Sequence, residues 1–153
     1  MIRFFDSSAL AKNYILEAGT AAVQTMLRST SRPFAAQITF AECLAAFSRK
    51  LQLGEIAAAA FQQTNDDFLA DWKSQLLIVD VNAVTMAAVP QLVRHLRSAD
   101  AIQLSCALWL SDACRAAPDQ FGGASAVEFV ASDEHLLTIA SQHGLRVFNP
   151  ATA

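Results

Sequence analysis

A chain of 153 residues with 54% hydrophobic and only 16% charged residues can bury a continuous core, which excludes an intrinsically disordered protein and predicts one domain spanning 1–153. Its net charge of −3 carries no basic signature of a polyanionic partner. Cys43, Cys106 and Cys114 are odd in number and lie at no zinc spacing, so they read as buried thiols of a reducing compartment. Asp6 interrupts the N-terminus before a signal-peptide core forms, and the most apolar run, Ala101 to Leu110, falls short of the ~20 residues needed to cross a bilayer. A cytoplasmic protein without a membrane partner is expected.

Ile2 to Phe5 is a short apolar strand closed by Asp6-Ser7-Ser8, with one of the serines predicted to cap the helix that follows. Helical spacing over 18–29 ends in the breaker-rich stretch from Ser29 to Pro33, and Phe34 to Ala36 is a minimal strand. Thr39 opens a helix with apolar Leu44, Phe47 and Leu51, stopped by Gly54. A helix over 55–72 precedes the strand Leu76 to Val79, and two more helices are predicted over 83–95 and 99–111. Asp112 to Ala126, with Pro118 and Gly122-Gly123, reads as a loop with room for one helical turn. Val127 to Ala131 is a strand, Asp133 to His143 a helix with Gly144 as its C-cap, and Leu145 to Phe148 a final strand.

Strands alternate with helices, and most strands are continuous apolar runs, the pattern of a sheet covered on both faces. The expected fold is a three-layer α/β/α sandwich around a central, mostly parallel sheet of four to five strands. In such folds ligands bind where strands end and helices begin. Asp6 follows the first strand, Glu42 and Asp100 lie in first turns of helices, and Asp133 follows the fourth strand, so four carboxylates are predicted to face one crevice.

Each acid also has an ordinary explanation, because carboxylates at helix N-termini gain ~0.3–1 kcal/mol from the backbone dipole. Asp6 can cap; Glu42 completes a capping box with Thr39; Asp100 and Asp133 are unremarkable first-turn acids after Ser98 and Ser132. Their company argues for more. Carboxylates within ~5 Å of one another in a low-dielectric crevice either protonate or gather a cation. An all-oxygen donor set without His or Cys suits Mg²⁺ or Mn²⁺. With four of the 14 acids so engaged, the other 10 face 11 Lys and Arg, a balance of about +1 that permits a nucleic-acid substrate.

These residues resemble the PIN-domain nucleases, and within them the VapC-like toxins of prokaryotic toxin–antitoxin pairs. Phe5-Asp6-Ser7-Ser8-Ala9-Leu10 is similar to the family's opening motif, Thr39-x-x-Glu42 to its second, Leu96-Arg97-Ser98-Ala99-Asp100-Ala101 to its third, and Phe129-Val130-Ala131-Ser132-Asp133-x-x-Leu136 to its fourth, followed by Gly144-Leu145-x-Val147. Singly the motifs are weak; in order they form a composite covering nearly the whole chain. The resemblance implies a metal-dependent endoribonuclease, with Asp6 and Asp100 as central ligands of Mg²⁺ or Mn²⁺, Glu42 and Asp133 completing the site, and Ser8 hydrogen-bonding behind them. It further implies an RNA substrate, a homodimer, and a cognate antitoxin whose tail covers the cleft.

The chain departs from the family's usual pattern in the long 112–126 segment and in Glu134 beside Asp133, which leaves two acids competing for one position. Asp119, in that segment, is read as a solvated loop acid. Arg94, His95 and Arg97 form a basic cluster before Asp100, suited to phosphate or simply to a solvated helix end. His135 and His143 are read as surface or cap residues, and Trp72, Trp109 and the ten Phe as core. Two other readings compete: a PIN-like binding module that keeps the acids as caps, and a phosphotransfer protein with Asp6 as acceptor. The second is weakened because no second Asp stands two residues after Asp6, and Lys73 is the last lysine.

Overall fold

The structure, a computed structural model, describes residues 1–30 and 33–153. Its elements run β1 (Ile2–Phe5), α1 (Ser7–Leu10), a 3-10 turn (Ala11–Asn13), α2 (Thr20–Ser29), β2 (Phe34–Ala36), α3 (Thr39–Gln52), α4 (Ala58–Ser74), β3 (Leu77–Val79), α5 (Val89–Leu92), α6 (Ser98–Ala116), a 3-10 turn (Pro118–Phe121), β4 (Val127–Val130), α7 (Glu134–Gln142) and β5 (Arg146–Phe148). Ser31 and Arg32 of the expected break lie outside the described residues.

The five strands form one sheet in the order β3-β2-β1-β4-β5, every pair parallel, with Phe4 opposite Phe34 and Phe129. Helices cover both faces, and alternation along the strands divides the core accordingly. Ile2, Phe4, Ala36, Val127 and Phe129 pack beneath α5, α6 and α7. Phe5, Ala35 and Val130 pack against Leu10, Val23, Cys43, Phe47 and Phe68 from the first four helices. This is the expected three-layer α/β/α sandwich. The charged residue of β1 is accommodated by its cross-strand neighbour: Arg3 sits opposite Glu128, and its Nε donates to that carboxylate at 2.9 Å.

Two stretches differ from the periodic reading. The helix expected over 83–95 shrinks to Val89–Leu92. Asn82 Oδ1 accepts from the backbone N–H groups of Val84 and Thr85 at 2.9 and 3.2 Å, and Thr85 Oγ1 donates to the Asp80 carbonyl at 2.7 Å, so polar side chains take the place of a first helical turn. The second is α6, which continues to Ala116 and absorbs the start of the expected loop. The remainder holds the single 3-10 turn, whose Phe121 packs on Phe34 at the N-terminal edge of the sheet, with ring centroids 6.5 Å apart. At the end of α7, His143 is the cap and Gly144 the residue beyond it, its φ of +83° in the region that favours glycine.

All three cysteines are buried and free. Trp72 packs on Phe40 and Phe68 as expected, whereas Trp109 reaches the surface. No helix among the described residues is long and apolar enough to cross a membrane. Fully buried Phe68 is the hub of the aromatic cluster, its ring 5.3–5.8 Å from those of Tyr14, Phe47, Trp72 and Phe40. Phe68→Leu is expected to cost about 1–2 kcal/mol. Urea unfolding checks this as a lower midpoint at unchanged m-value.

Candidate metal centre

Four chain segments meet where β1 and β4 end, around a crevice of about 380 Å³. Asp6, Glu42, Asp100 and Asp133 all line it, with Ala45, Ala46 and Arg49 of α3 as one wall and Arg97 at its mouth. The small alanine side chains keep that wall low. A larger cavity of about 580 Å³ lies at the opposite, N-terminal edge beside Met1, Phe34 and Phe121. Its charged side chain, Arg3, is already paired with Glu128.

Asp6 is the innermost acid, at 2% exposure. Its backbone N–H bonds to the Val130 carbonyl at 2.9 Å, which continues the β1–β4 ladder and fixes where the side chain leaves the sheet. The serine cap expected for α1 is corrected here: Asp6 itself is the N-cap, its Oδ2 accepting from Ser8 N at 2.9 Å and from Ser8 Oγ at 2.5 Å. Ser8 Oγ in turn accepts from Ser132 N at 2.9 Å, tying the first turn of α1 to the loop after β4. Capping thus accounts for one carboxylate oxygen only. Asp6 Oδ1 and the nearby Ser132 Oγ are buried without any hydrogen-bond partner. Burial pushes the Asp6 carboxyl up from 3.8 to about 6 against the lowering effect of the Ser8 bonds, and the charges of Glu42 and Asp100 add to the rise.

The capping box expected from Thr39 and Glu42 does not form. Ile38 is the N-cap of α3 and makes no side-chain cap bond. Thr39 Oγ1 donates instead to Gln103 Oε1 at 2.8 Å, and Gln103 Nε2 donates to Glu42 Oε2 at 2.5 Å. Burial raises the Glu42 pKa while hydrogen bonds from Gln103 and Ser7 lower it. Asp100 does not cap either: Arg97 Nε donates to its Oδ2 at 3.1 Å. Asp133 does cap α7, its Oδ1 accepting from Leu136 N at 2.9 Å, while Oδ2 lies 3.8 Å from Arg97 Nη2. Glu134 turns away, its carboxylate accepting from Asn149 Nδ2 at 2.5 Å. Asp119 belongs to the turn at the opposite edge of the sheet, and His135 is exposed, bonded through Nε2 to the His95 carbonyl at 2.8 Å.

The acids share a crevice without forming a closed ligand cage: among the described residues no three His, Cys, Asp or Glu side chains are grouped so as to hold a metal ion. The hydrogen bonds explain the spread. Arg97 lies between Asp100 and Asp133 and supplies a positive charge there, while Ser8 and Gln103 hold Asp6 and Glu42 from behind. Of the Arg94–Arg97 cluster, Arg97 alone lines the crevice. The donor set is nevertheless suited to a hard divalent cation, because every candidate is oxygen and the deepest oxygen, Asp6 Oδ1, lacks any other partner.

Two residues of this region escape sequence reasoning. Gln103 is an interruption in an apolar run until its partners are seen, although a Gln surrounded by Ile102, Leu104 and Cys106 demands partners for its amide. Arg49 lies seven residues after Glu42, two helical turns along the same face of α3, a spacing that was open to notice.

No family model matches the chain, and no curated protein sequence matches it. Among solved structures it is similar to VapBC2 from Rickettsia felis bound to a DNA fragment from its promoter, at TM-score 0.59 and 13% identity over 97% of this chain and 98% of that one. It is also similar to FitAcB from Neisseria gonorrhoeae, at TM-score 0.62 and 13% identity over 97% and 98%. A third similar structure is FitAB bound to the IR36 DNA fragment, at TM-score 0.60 and 15% identity over 98% and 96%. At such identities the likeness is one of fold, and it extends over nearly the full length of each chain.

Proposed function

We propose that this chain is a metal-dependent endoribonuclease that acts as the toxin of a toxin–antitoxin pair, with Mg²⁺ or Mn²⁺ held by Asp6, Glu42, Asp100 and Asp133. The observation that carries the reading is the buried, unpartnered Oδ1 of Asp6, a residue that lines one crevice together with three further carboxylates. A carboxylate oxygen deprived of both water and donors is stabilised by a cation or by a proton. Solved structures similar in fold are complexes named VapBC2, FitAcB and FitAB, which supports a protein antitoxin as partner. A homodimer and an antitoxin segment that covers the crevice belong to the same proposal.

A bound divalent ion would activate a water for in-line attack on phosphorus and neutralise the leaving oxygen, leaving 5′-phosphate and 3′-hydroxyl ends. The chain supplies the rest. Asp6 is fixed by the β1–β4 ladder and by Ser8, so its carboxylate does not reorganise when charge develops. Arg49 on the α3 wall and Arg97 at the mouth offer guanidinium groups to the phosphates flanking the scissile bond. No side-chain nucleophile is required, and the Ser8 hydroxyl is already committed to the Asp6 carboxylate and to Ser132 N.

The test is cleavage of a pool of structured RNAs by antitoxin-free protein with Mn²⁺ or Mg²⁺, against EDTA. Metal-dependent cutting that leaves 5′-phosphate ends is expected. Folded protein that neither cuts nor binds divalent ions in calorimetry would establish the competing reading, a binding module whose acids serve as caps; the Asp133 cap and the Arg97 pairs favour that reading. A finer consequence follows for Arg97, which is 82% exposed and competes with an ion for Asp100 and Asp133. Arg97→Ala should strengthen Mn²⁺ binding in RNA-free protein, by less than tenfold because solvent screens the exposed pairs. Calorimetric titration reads this directly, and weaker binding would show that Arg97 does not compete.

A further inference from the structure

We propose that Gln103 is a positioning residue that sets the Glu42 carboxylate in the crevice by bridging the two acid-bearing helices. The inference rests on the metal-centre reading above for its purpose and on independent geometry for its existence. Gln103 is fully buried, and both ends of its amide are used: Oε1 accepts from Thr39 Oγ1 at 2.8 Å and Nε2 donates to Glu42 Oε2 at 2.5 Å. The orientation of the amide is dictated by its partners, because a carboxylate only accepts and the Thr39 hydroxyl has a proton to give.

Helix capping leaves Glu42 undirected; Gln103 gives its carboxylate a 2.5 Å hydrogen bond, with Ser7 a further donor beside it. The N-cap of α3 makes no side-chain bond, the expected capping box is absent, and a glutamate has three side-chain torsions to restrain. Gln103 removes that freedom from across the interface. It sits one turn after Asp100 on α6, so the helix that presents Asp100 to the crevice also grips Glu42 of α3. Thr39, one turn before Glu42 and itself buried, holds the amide from rotating. Two acids 58 positions apart in sequence are thereby registered by one side chain, in the way that hydrogen-bonding residues behind a metal site orient its ligands.

Gln103→Met keeps the length of the side chain and removes both hydrogen bonds; Thr39→Val and Thr39→Ser remove and keep the hydroxyl. In metal-free protein, NMR side-chain couplings of Glu42 should report one rotamer in wild type and Thr39→Ser, and averaging in Gln103→Met and Thr39→Val. Mn²⁺ affinity should fall about tenfold in Gln103→Met. The same substitution in a Glu42→Gln background should change it less than twofold, since Gln103 acts through that carboxylate. A single Glu42 rotamer in folded Gln103→Met, or equal losses of affinity in both backgrounds, overturns the proposal. If Gln103→Met does not fold, the Thr39 pair decides by the same couplings. Wild-type protein that orders Glu42 yet binds no Mn²⁺ would leave the bridge standing and remove the nuclease reading instead.

Discussion

Asp6→Asn is expected to reduce metal-dependent RNA cleavage by roughly three orders of magnitude, equivalent to the several kcal/mol that a correctly held divalent ion contributes to transition-state stabilisation. The size of the effect follows from position. Asp6 is the deepest of the four acids and the one held by backbone and side-chain bonds on both sides, through Val130 and Ser8. Asparagine preserves the shape, and its amide oxygen can still accept from Ser8, so the cap of α1 survives while the charge is lost. Single-turnover cleavage with saturating Mn²⁺ is the measurement. Retention of a tenth or more of the wild-type rate would place the metal, or the chemistry, elsewhere.

The second large effect concerns stability and has the opposite sign. The native protein keeps a proton on Asp6 up to about pH 6, whereas the unfolded chain releases it near 3.8. Between those values the native state binds more protons, so this group makes stability fall as pH rises. The penalty is absent below the unfolded value and complete above the folded one, where it amounts to about 3 kcal/mol. Glu42, raised by burial, acts in the same direction. Metal-free Asp6→Asn should therefore be more stable than wild type at neutral pH, by roughly 5–10 °C in melting temperature, with the difference vanishing towards pH 4. Excess Mn²⁺ should restore wild type and leave Asp6→Asn unmoved, because the ion binds the deprotonated carboxylate. Equal melting curves for the two proteins across pH 4–7 would show that Asp6 is not strained by its burial. A residue that lowers the stability of the metal-free fold and is needed for cleavage is what a site held ready for a cation requires.

The physical picture is of a sheet whose C-terminal edge concentrates acids, each restrained by a different device. Asp6 and Asp133 are held by the helix starts they cap, Asp100 by a cation three residues before it, and Glu42 by a buried amide from another helix. Local capping explains two of the four and a local i,i+3 ion pair a third, which leaves Glu42 to the tertiary structure. This is also why the carboxylates line one crevice without closing into a ligand cage. Arg97 partly neutralises Asp100 and Asp133, and a divalent ion at the proposed site would compete with it for both carboxylates.

Much of the architecture follows from period and punctuation along the chain. Apolar runs such as Phe4-Phe5, Ile78-Val79 and Phe129-Val130 can be buried on both sides only in a sheet covered by helices, and parallel pairing follows from the helices between them. The meeting of Asp6, Glu42, Asp100 and Asp133 at one edge follows as well, since each stands where a strand ends or a helix begins. Competing local chemistry was harder to read. The 83–95 stretch has helical spacing, yet Asn82 and Thr85 satisfy the backbone as a turn, and spacing alone does not rank the two. What the chain could not disclose by itself is which partner each side chain takes. Thr39 and Glu42 have the sequence of a capping box and are instead bound to Gln103, which packing of α6 against β2 brings to the start of α3. The choice between Asp133 and Glu134 was likewise made by Asn149 and the start of α7. Capping and periodicity act within a few residues and are written locally; a hydrogen bond between residues 61 positions apart exists only once the helices have docked.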